Sequence, residues 1–208
     1  MPILHLQLRA ARTSRITAIR RALIIGTVTA GTVLSLGSVN GGLPAASIAS
    51  SSAHAPQASS RSADFGQESP SPDARHVADW IADSHDNANA DFIIVDKRDA
   101  KAYVFDAKAR LRGASPVLLG SALGDDSVPG IGLRPIAEVR PEERTTPAGR
   151  FIAERGRNLK GDDVVWVDYE AAVSMHRVRT SKPSERRLER LATPTVEDNR
   201  ISYGCINV

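Results

Sequence analysis

The sequence predicts a mainly β domain, either a sandwich or a barrel, that follows a signal peptide and a flexible linker. Short segments rich in β-branched and aromatic residues recur in the second half of the 208-residue chain, separated by turn-forming residues. Few segments show helical periodicity. The first 63 residues contain six arginines and no acidic residue, which sets them apart from the rest. Together these features indicate a β-rich fold behind an N-terminal targeting segment.

The formal net charge of +3 comes from the N-terminus. Beyond Ala55 the chain carries 22 basic residues (27 minus 5) against 24 acidic residues. That part shows neither a basic patch nor a basic stretch with interleaved aromatic residues. The composition therefore argues against nucleic acid as a partner.

Residues 1–55 have the organisation of a secretory signal peptide. Five arginines within the first 21 residues precede the uncharged run Ala22–Val39, and Ala53-His54-Ala55 forms an A-x-A cleavage site. If the segment stayed uncleaved, it would be the only part of the chain expected to contact a membrane. In both cases we expect the residues after the apolar run to be exported.

A flexible linker and a short helical segment are expected next. Residues 56–72 are rich in Ser, Ala, Gln and Pro, a composition typical of a linker. Ser71 and Pro72 are typical of an N-cap and of the first helical position, so residues 73–90 are assigned to a short helix. Its apolar stripe would consist of Val77, Trp80 and Ile81.

Residues 91–208 are predicted to form the β-rich domain. The segment Ser121–Glu143 is rich in Gly, Pro and charged residues and is interpreted as a long loop. Residues Ser184–Ala192 would form a second short helix with Leu188 and Leu191 facing inward. Strands are expected at Asp91–Asp96, Ala102–Asp106, Ser115–Gly120, Arg150–Glu154, Asp163–Tyr169 and Ala171–His176.

Cys205 is the only cysteine, so it cannot form an internal disulfide. It is a buried passenger, a reactive thiol, or a thiol that links to a partner through a mixed disulfide. Gly204 allows a sharp turn and leaves room beside the sulfur, and Ser202 can fix this turn by a hydrogen bond. Backbone N–H groups in such a turn can stabilise an oxyanion. The neighbours therefore favour a reactive thiol, and the absence of a CxxC pair weighs against a redox function.

A thiolate nucleophile needs a base within hydrogen-bonding reach, usually a histidine. His5 and His54 fall in the predicted signal peptide, and His76 and His85 in solvated positions at the predicted helix. Only His176 lies among apolar residues of the predicted domain, so it is the candidate base, with a purely structural role as the alternative. One Cys and one His are too few ligands for a zinc site, and no metal is expected.

The octapeptide ISYGCINV (Ile201–Val208) resembles the nucleophile motif of the L,D-transpeptidases, the YkuD-type catalytic domain. That motif is usually written S-x-G-C followed by an apolar residue. TTPAGRF (Thr145–Phe151) is similar to the T-P-x-G-x-F segment of the family, and the MHR around His176 occupies the place of its I-H-G segment. FIIVDKRDAKAYVFD resembles the family's first hairpin. In this order the similar segments cover roughly residues Asp91–Val208.

The resemblance implies a β-sandwich-like fold and an enzyme of the periplasm or cell wall that acts on peptidoglycan stem peptides. Cys205 would be the nucleophile, His176 the proton acceptor and donor, and Ser202, Tyr203 and Gly204 the oxyanion turn. The thiolate would attack the carbonyl that precedes the terminal D-alanine of a tetrapeptide stem. An amine of a neighbouring stem would then accept the acyl group, without a metal or an organic cofactor. Water as the acceptor would make the protein an L,D-carboxypeptidase, and a non-catalytic peptidoglycan-binding relative is the other alternative.

The chain also departs from the family pattern. Tyr203 stands where the family commonly has His, and Asn207 where it often has Arg. Arg177 follows the candidate base in place of Gly, so Arg177 and Asn207 are the candidates for substrate binding, with Arg179 and Arg200 as further sources of positive charge. Family domains continue beyond this motif, so we expect the C-terminal part of the domain to be missing. A chain that ends at Val208 is then expected to be weakly active or unstable.

Overall fold

The computed structural model of the chain describes residues 3–9 and 60–208. These residues form a mainly β fold, as predicted, with two α-helices and one large mixed sheet. The predicted apolar run of the signal peptide, its cleavage site and the first residues of the predicted linker lie outside the described residues. No helix within the described ranges is both long and apolar enough to cross a membrane.

The large sheet has eight strands in the order β10-β8-β7-β6-β1-β2-β3-β4, and β5 pairs with β9 in a separate two-stranded sheet. Most predicted strands are present with slightly shifted ends, but the predicted strand Ser115–Gly120 is divided between the end of β4 and β5. The helices are α1 (Pro72–Ser84) and α2 (Arg187–Ala192). The strands are β1 (Ile3–Leu8), β2 (Phe92–Asp96), β3 (Lys101–Phe105), β4 (Leu111–Pro116), β5 (Leu119–Gly120), β6 (Gly149–Arg157), β7 (Asp163–Asp168), β8 (Val173–His176), β9 (Arg200–Ser202) and β10 (Ile206–Asn207).

Strand β1 lies in the middle of the large sheet, although the sequence analysis assigned its residues to the signal peptide. It pairs antiparallel with β2 and parallel with β6. Leu4 and Leu6 enter the core on one face of the sheet, while Ile3 enters the core on the other face. This alternation is the period of a strand buried on both faces. Cleavage after Ala55 would remove β1, so this fold is that of the uncleaved chain.

His5, also on β1, is a buried histidine that the sequence analysis placed outside the domain. Its side chain is 3% exposed and packs edge-on against the ring of Phe92. Nδ1 lies 3.7 Å from a carboxylate oxygen of Asp86, and Nε2 has no hydrogen-bond partner among the described residues. Burial lowers the pKa of His5 to about 4, so the imidazole is neutral at pH 7. His176 is therefore not the only histidine among apolar residues of the domain, which corrects that prediction.

The large sheet is curled around its main core. This core combines residues of the central strands with residues of β7, β8 and β10, which lie at one end of the strand order. Its fully buried members include Leu4, Val95, Leu119 and Ile206. Curling brings the two halves of the sheet onto one shared core, and strands β8 and β10 lie at its border.

Two side chains from the described part of the predicted linker pack on the other face of the sheet. Phe65 is 2% exposed and contacts the rings of Tyr103 and Phe105 edge-on. Ala63 is buried beside it. The composition of this segment predicted a free linker, but one large apolar side chain that reaches an aromatic cluster holds it against the domain.

Helix α1 begins as predicted, because the Ser71 hydroxyl accepts a hydrogen bond from the Ala74 N–H at 3.1 Å. The predicted stripe is wrong at Trp80, which is 48% exposed. The buried residues of the helix are Ala74, Ala78 and Ile81.

Helix α2 forms where expected, but Leu188 is 57% exposed instead of facing inward. Leu191, also predicted to face inward, is half-buried. Two guanidinium groups of α2 also reach other segments: Arg187 donates to the Asn207 side chain, and Arg190 donates to the Asp198 carbonyl oxygen.

Candidate active site

Cys205 lies in the tight turn between β9 and β10. The Ser202 hydroxyl donates to the Cys205 carbonyl oxygen at 2.6 Å and accepts from the Gly204 N–H at 3.1 Å. Gly204 has a φ of 125°, and a Cβ at this position would lie 2.7 Å from the carbonyl oxygen of Thr145. Both the backbone angle and the close approach require glycine. Ser202 and Gly204 thus fix the backbone that carries the thiol.

Thr146 ties this turn to two other segments. Its hydroxyl donates to the Gly204 carbonyl oxygen and accepts from the Gly120 N–H, both at 2.8 Å. Its side chain is 1% exposed. From the sequence, Thr146 stood out only as part of the TTPAGRF motif, and the structure gives it a positioning contact with the cysteine turn.

Strand β8 brings His176 beside the thiol, because β8 and β10 are parallel neighbours with Asn207 paired to His176. Nδ1 of His176 lies 2.8 Å from the carbonyl oxygen of Arg177. A carbonyl oxygen can only accept, so Nδ1 carries the proton and Nε2 remains for the sulfur of Cys205. The hydrogen bond with Cys205 raises the pKa of His176 above its ordinary value, against the opposing effect of burial.

Burial raises the pKa of the Cys205 thiol, but hydrogen bonds from His176 and Ser174 outweigh burial and hold this pKa below its ordinary value. The Ser174 hydroxyl lies 3.7 Å from Sγ, and the Ala172 carbonyl oxygen is also 3.7 Å away. A lowered thiol pKa beside a raised imidazole pKa favours a thiolate–imidazolium pair. Ser174 was not predicted as a site residue from the sequence. Its position two residues before His176, on the same face of a strand, was the available signal.

Cys205 lines a cavity of about 130 Å³, and the loop Ser121–Glu143 forms much of its wall. Gly132 holds the loop close to the turn between β7 and β8, where a Cβ would overlap the Glu170 carbonyl oxygen. The loop contains three 3₁₀ turns, Ile131–Leu133, Ile136–Glu138 and Pro141–Glu143. The loop residues that line the cavity are Ser127, Ile131, Gly132, Arg134, Ile136, Val139 and Glu143. The segment predicted as a loop therefore covers the nucleophile.

Glu143 organises the arginines of this loop. It accepts from Arg134 Nη1 at 3.1 Å, from the Arg140 N–H at 3.0 Å and from Arg140 Nη2 at 3.1 Å. Hydrogen bonds from Arg140 and then from Arg134 lower the pKa of Glu143 to about 2. Arg134 lines the cavity, whereas the Arg140 side chain is 67% exposed and does not.

Tyr203 and Asn207, the two positions that depart from the family motif, have different surroundings. Tyr203 lines the cavity. Its ring lies under the Arg144 guanidinium, and the guanidinium carbon is 3.9 Å from the ring centroid. Asn207 is 1% exposed, accepts from Arg187 at 2.6 Å and donates to the Cys205 carbonyl oxygen at 3.2 Å. Asn207 therefore supports the turn. It does not line the cavity, so the structure does not support the predicted contact between Asn207 and a substrate.

Arg177 and His176 line a second, larger groove of about 650 Å³. The other two arginines suggested from the sequence line neither cavity. Arg179 pairs with Asp162, and Arg200 donates to the Lys97 carbonyl oxygen at 2.8 Å. Cys205 and His176 thus line different cavities.

Within residues 3–9 and 60–208, no group of three His, Cys, Asp or Glu side chains is arranged to hold a metal ion. The chain matches no family model, no curated protein and no solved structure.

Proposed function

We propose that this chain is a cysteine-dependent acyltransferase that works through a thioester acyl-enzyme. The observation that carries the proposal is the placement of Cys205 and His176 beside each other on the paired strands β10 and β8, where their interaction lowers the thiol pKa and raises the imidazole pKa. An activated thiol nucleophile needs this pairing, and a cysteine that only fills space does not. The Nδ1 contact with the Arg177 carbonyl oxygen orients the imidazole as a third group does in nucleophilic triads.

In the first half-reaction the Cys205 thiolate attacks the carbonyl carbon of an amide. A C–S bond forms, and an electron pair moves onto the carbonyl oxygen. The Gly204 N–H already donates to the Ser202 hydroxyl, so the N–H groups of Tyr203 and Cys205 remain for the oxyanion. As the C–N bond breaks, the His176 imidazolium transfers its Nε2 proton to the departing amine. The products are a thioester and a free amine.

In the second half-reaction an amine attacks the thioester, and we infer that it enters through the groove lined by His176. Neutral His176 accepts a proton from the attacking amine through Nε2. The C–S bond breaks and returns the electron pair to the sulfur, which regenerates the thiolate. Water in place of the amine would give hydrolysis, the activity of a carboxypeptidase.

For the substrate we propose peptidoglycan stem peptides, and for the location the periplasm or the cell wall. The support for both is the similarity of ISYGCINV and TTPAGRF to segments of the L,D-transpeptidases, a family whose members act on the cell wall. A mainly β fold with a curled sheet is compatible with the β-sandwich-like fold of that family.

Intact-mass measurements on the full chain test this proposal with muropeptides or a carbapenem as acyl donors. The parent should gain the mass of the acyl group, and Cys205→Ala should gain none. His176→Ala should be acylated about a hundredfold more slowly or worse, because it lacks the base. His76→Ala, an exposed histidine on α1, is the matched control and should behave like the parent.

The products separate the alternatives. A cross-linked dimer indicates transpeptidation, and a shortened stem without a cross-link indicates carboxypeptidase activity. If the chain only binds peptidoglycan, the parent and both variants should pellet with sacculi, and none of them should form a thioester. Acylation of Cys205→Ala at the parental rate would refute the assignment of the nucleophile.

A further inference from the structure

A third cavity, of about 410 Å³, lies on the face of the large sheet that carries helix α1. Three parts of the chain meet there: strand β1, helix α1 and the loop Ser121–Glu143, together with the start of β6. The residues of this α1 cavity that matter for its chemistry are Ile3, His5, Val77, Trp80, Asp126 and Arg150.

His5 gives the α1 cavity a buried hydrogen-bond acceptor without a partner. Its side chain is 3% exposed, and Nε2 makes no hydrogen bond with any described residue. Because burial lowers the pKa of His5 to about 4, the imidazole is neutral at pH 7 and carries one proton. Nδ1 lies 3.7 Å from a carboxylate oxygen of Asp86, which favours the proton on Nδ1 and leaves a lone pair on Nε2. Buried polar groups are nearly always hydrogen-bonded, so Nε2 indicates a ligand that donates.

The charged residues that line the cavity favour a donor with a positive charge. Arg150 pairs with Asp86, and Asp125 pairs with Lys97, both at 2.6 Å. Asp126 makes no ion pair with another residue of the described ranges, so its carboxylate remains for a ligand. An exposed carboxylate attracts a cation only weakly by itself. Its effect therefore adds to that of the buried acceptor.

Trp80 and the apolar lining complete the match to an alkylammonium group. A tryptophan ring attracts an ammonium group over its face. Ile3, Val77 and Ala148 offer apolar contacts to a short alkyl chain. A neutral alcohol lacks the charge that Asp126 and Trp80 attract. A quaternary ammonium ion lacks the N–H that His5 can accept.

We propose that the α1 cavity binds a ligand with a primary alkylammonium group, which donates to Nε2 of His5 and places its charge beside Asp126 and Trp80. Neither Cys205 nor His176 lines this cavity. The site is therefore separate from the candidate active site, and the proposal does not depend on acyl transfer.

Three probes with the same butyl chain test the proposal on the full chain, with its histidines labelled with ¹⁵N, at pH 7. The probes are n-butylammonium, n-butyltrimethylammonium and 1-butanol. The imidazole signals of His5 are identified by their absence in His5→Phe. We expect n-butylammonium to shift the Nε2 signal in a saturable manner, since this nitrogen then accepts a hydrogen bond. The trimethyl probe should leave that signal in place, and 1-butanol should bind at least about threefold more weakly because it has no charge.

Substitutions in the cavity should weaken the binding of n-butylammonium, followed by the shifts of backbone amide signals. His5→Phe keeps an aromatic ring but removes the acceptor, so the dissociation constant should rise on the order of tenfold. Asp126→Asn and Trp80→Ala change exposed side chains, which keeps the fold intact, and should each raise it about threefold. Glu138→Gln, an exposed carboxylate of the same loop, and Tyr169→Ala, an exposed aromatic residue, do not line the cavity and are the matched controls.

Two results would overturn the proposal: an Nε2 signal of His5 that does not respond to n-butylammonium, or equal affinities for the ammonium and the alcohol. A rise in the dissociation constant in the two controls equal to that in Asp126→Asn and Trp80→Ala would also overturn it. Cys205→Ala should bind n-butylammonium like the parent. If no acyl donor reacts with Cys205 while the titration behaves as expected, acyl transfer fails and the ammonium site stands. If acylation occurs without this binding, the ammonium site fails and acyl transfer stands.

Discussion

Nδ1 of His176 lies 2.8 Å from the carbonyl oxygen of Arg177, and this one contact sets the chemistry of the imidazole. The carbonyl oxygen fixes the proton on Nδ1, so Nε2 presents a lone pair toward the Cys205 thiol. When the thiol gives its proton to Nε2, the resulting imidazolium remains hydrogen-bonded at Nδ1. The neighbouring backbone thereby supports both protonation states that an acyl transfer needs.

The first prediction concerns the pH dependence of thiol reactivity. Because the hydrogen bonds from His176 and Ser174 outweigh burial, the Cys205 thiol should ionise below the ordinary cysteine value of about 8.5. Its iodoacetamide rate should rise with pH and reach half its maximum below that value. His176→Ala should move the midpoint upward, because the thiolate loses its positive partner while burial still raises its pKa. Mass-detected alkylation across a pH series measures both midpoints.

His76→Ala, on the exposed side of α1, should keep the parental midpoint. A midpoint in His176→Ala equal to or below that of the parent would show that the imidazole does not stabilise the thiolate.

The second prediction concerns the glycine of the cysteine turn. Gly204→Ala places a Cβ 2.7 Å from the Thr145 carbonyl oxygen at a φ of 125°, so the turn must shift. We expect a loss of about 1–3 kcal/mol in the free energy of unfolding. A displacement of the thiol by about 1 Å would lower acylation on the order of a hundredfold. Urea unfolding and acylation rates measure the two effects.

Gly113→Ala on β4 is the control, because nothing lies within 4 Å of a Cβ at that glycine. If Gly204→Ala and Gly113→Ala lowered stability and acylation equally, the cysteine turn would have no special requirement for glycine.

The third prediction concerns Thr146, which joins Gly120 to Gly204. Thr146→Val keeps the shape but removes both hydrogen bonds of a side chain that is 1% exposed. Each backbone group left buried and unpaired costs about 1–3 kcal/mol, so the free energy of unfolding should fall by at least about 2 kcal/mol. Thr146→Ser retains the hydroxyl and should recover most of the loss. Denaturant midpoints compare the three proteins, and a serine variant as unstable as the valine variant would contradict the role of the hydroxyl.

The fourth prediction follows from His5 in the centre of the sheet. Burial lowers its folded pKa to about 4 from the ordinary 6.5, so the unfolded chain binds this proton first. Stability should therefore be full above pH 6.5 and decline as the pH falls toward 4, by about 3 kcal/mol in total. His5→Phe should flatten this part of the profile, which urea titrations at several pH values can follow. His76→Phe, in an exposed position, should leave the profile unchanged.

The sequence predicted the strands well because most of them are marked by local patterns. The run Asp91–Asp96 is apolar and bounded by turn residues, and the turn after it joins β2 to β3. Strand β1 was missed although ILHLQL alternates, because the arginines that follow it match the start of a signal peptide. Local sequence patterns thus predicted a strand correctly where only one interpretation fitted the residues. They failed at β1, where the residues fitted both a strand and a signal peptide.

The site was predictable only as far as its residues lie close together in the sequence. Ser202, Gly204 and Cys205 could be grouped from one octapeptide. Thr146, in contrast, reaches Gly204 across 58 residues of sequence. The cavity position of Arg134 depends on the folding of a loop that carries no repeating pattern. Contacts between distant segments depend on the path of the chain, and a single sequence does not specify that path locally.

The last prediction concerns the contribution of β1. Leu6 is completely buried between β2 and β6. Leu6→Ala should lower the free energy of unfolding by about 2–5 kcal/mol, because it removes core packing and leaves a cavity. Leu159→Ala, on a fully exposed leucine, is the matched control and should change stability by less than about 0.5 kcal/mol. A chain that starts at Ser60 should be less stable still, since β2 and β6 lose their shared partner strand, and a peptide of residues 1–10 added in excess should restore part of the loss. Equal denaturant midpoints for the full chain and the chain from Ser60 would show that β1 contributes nothing to the folded domain.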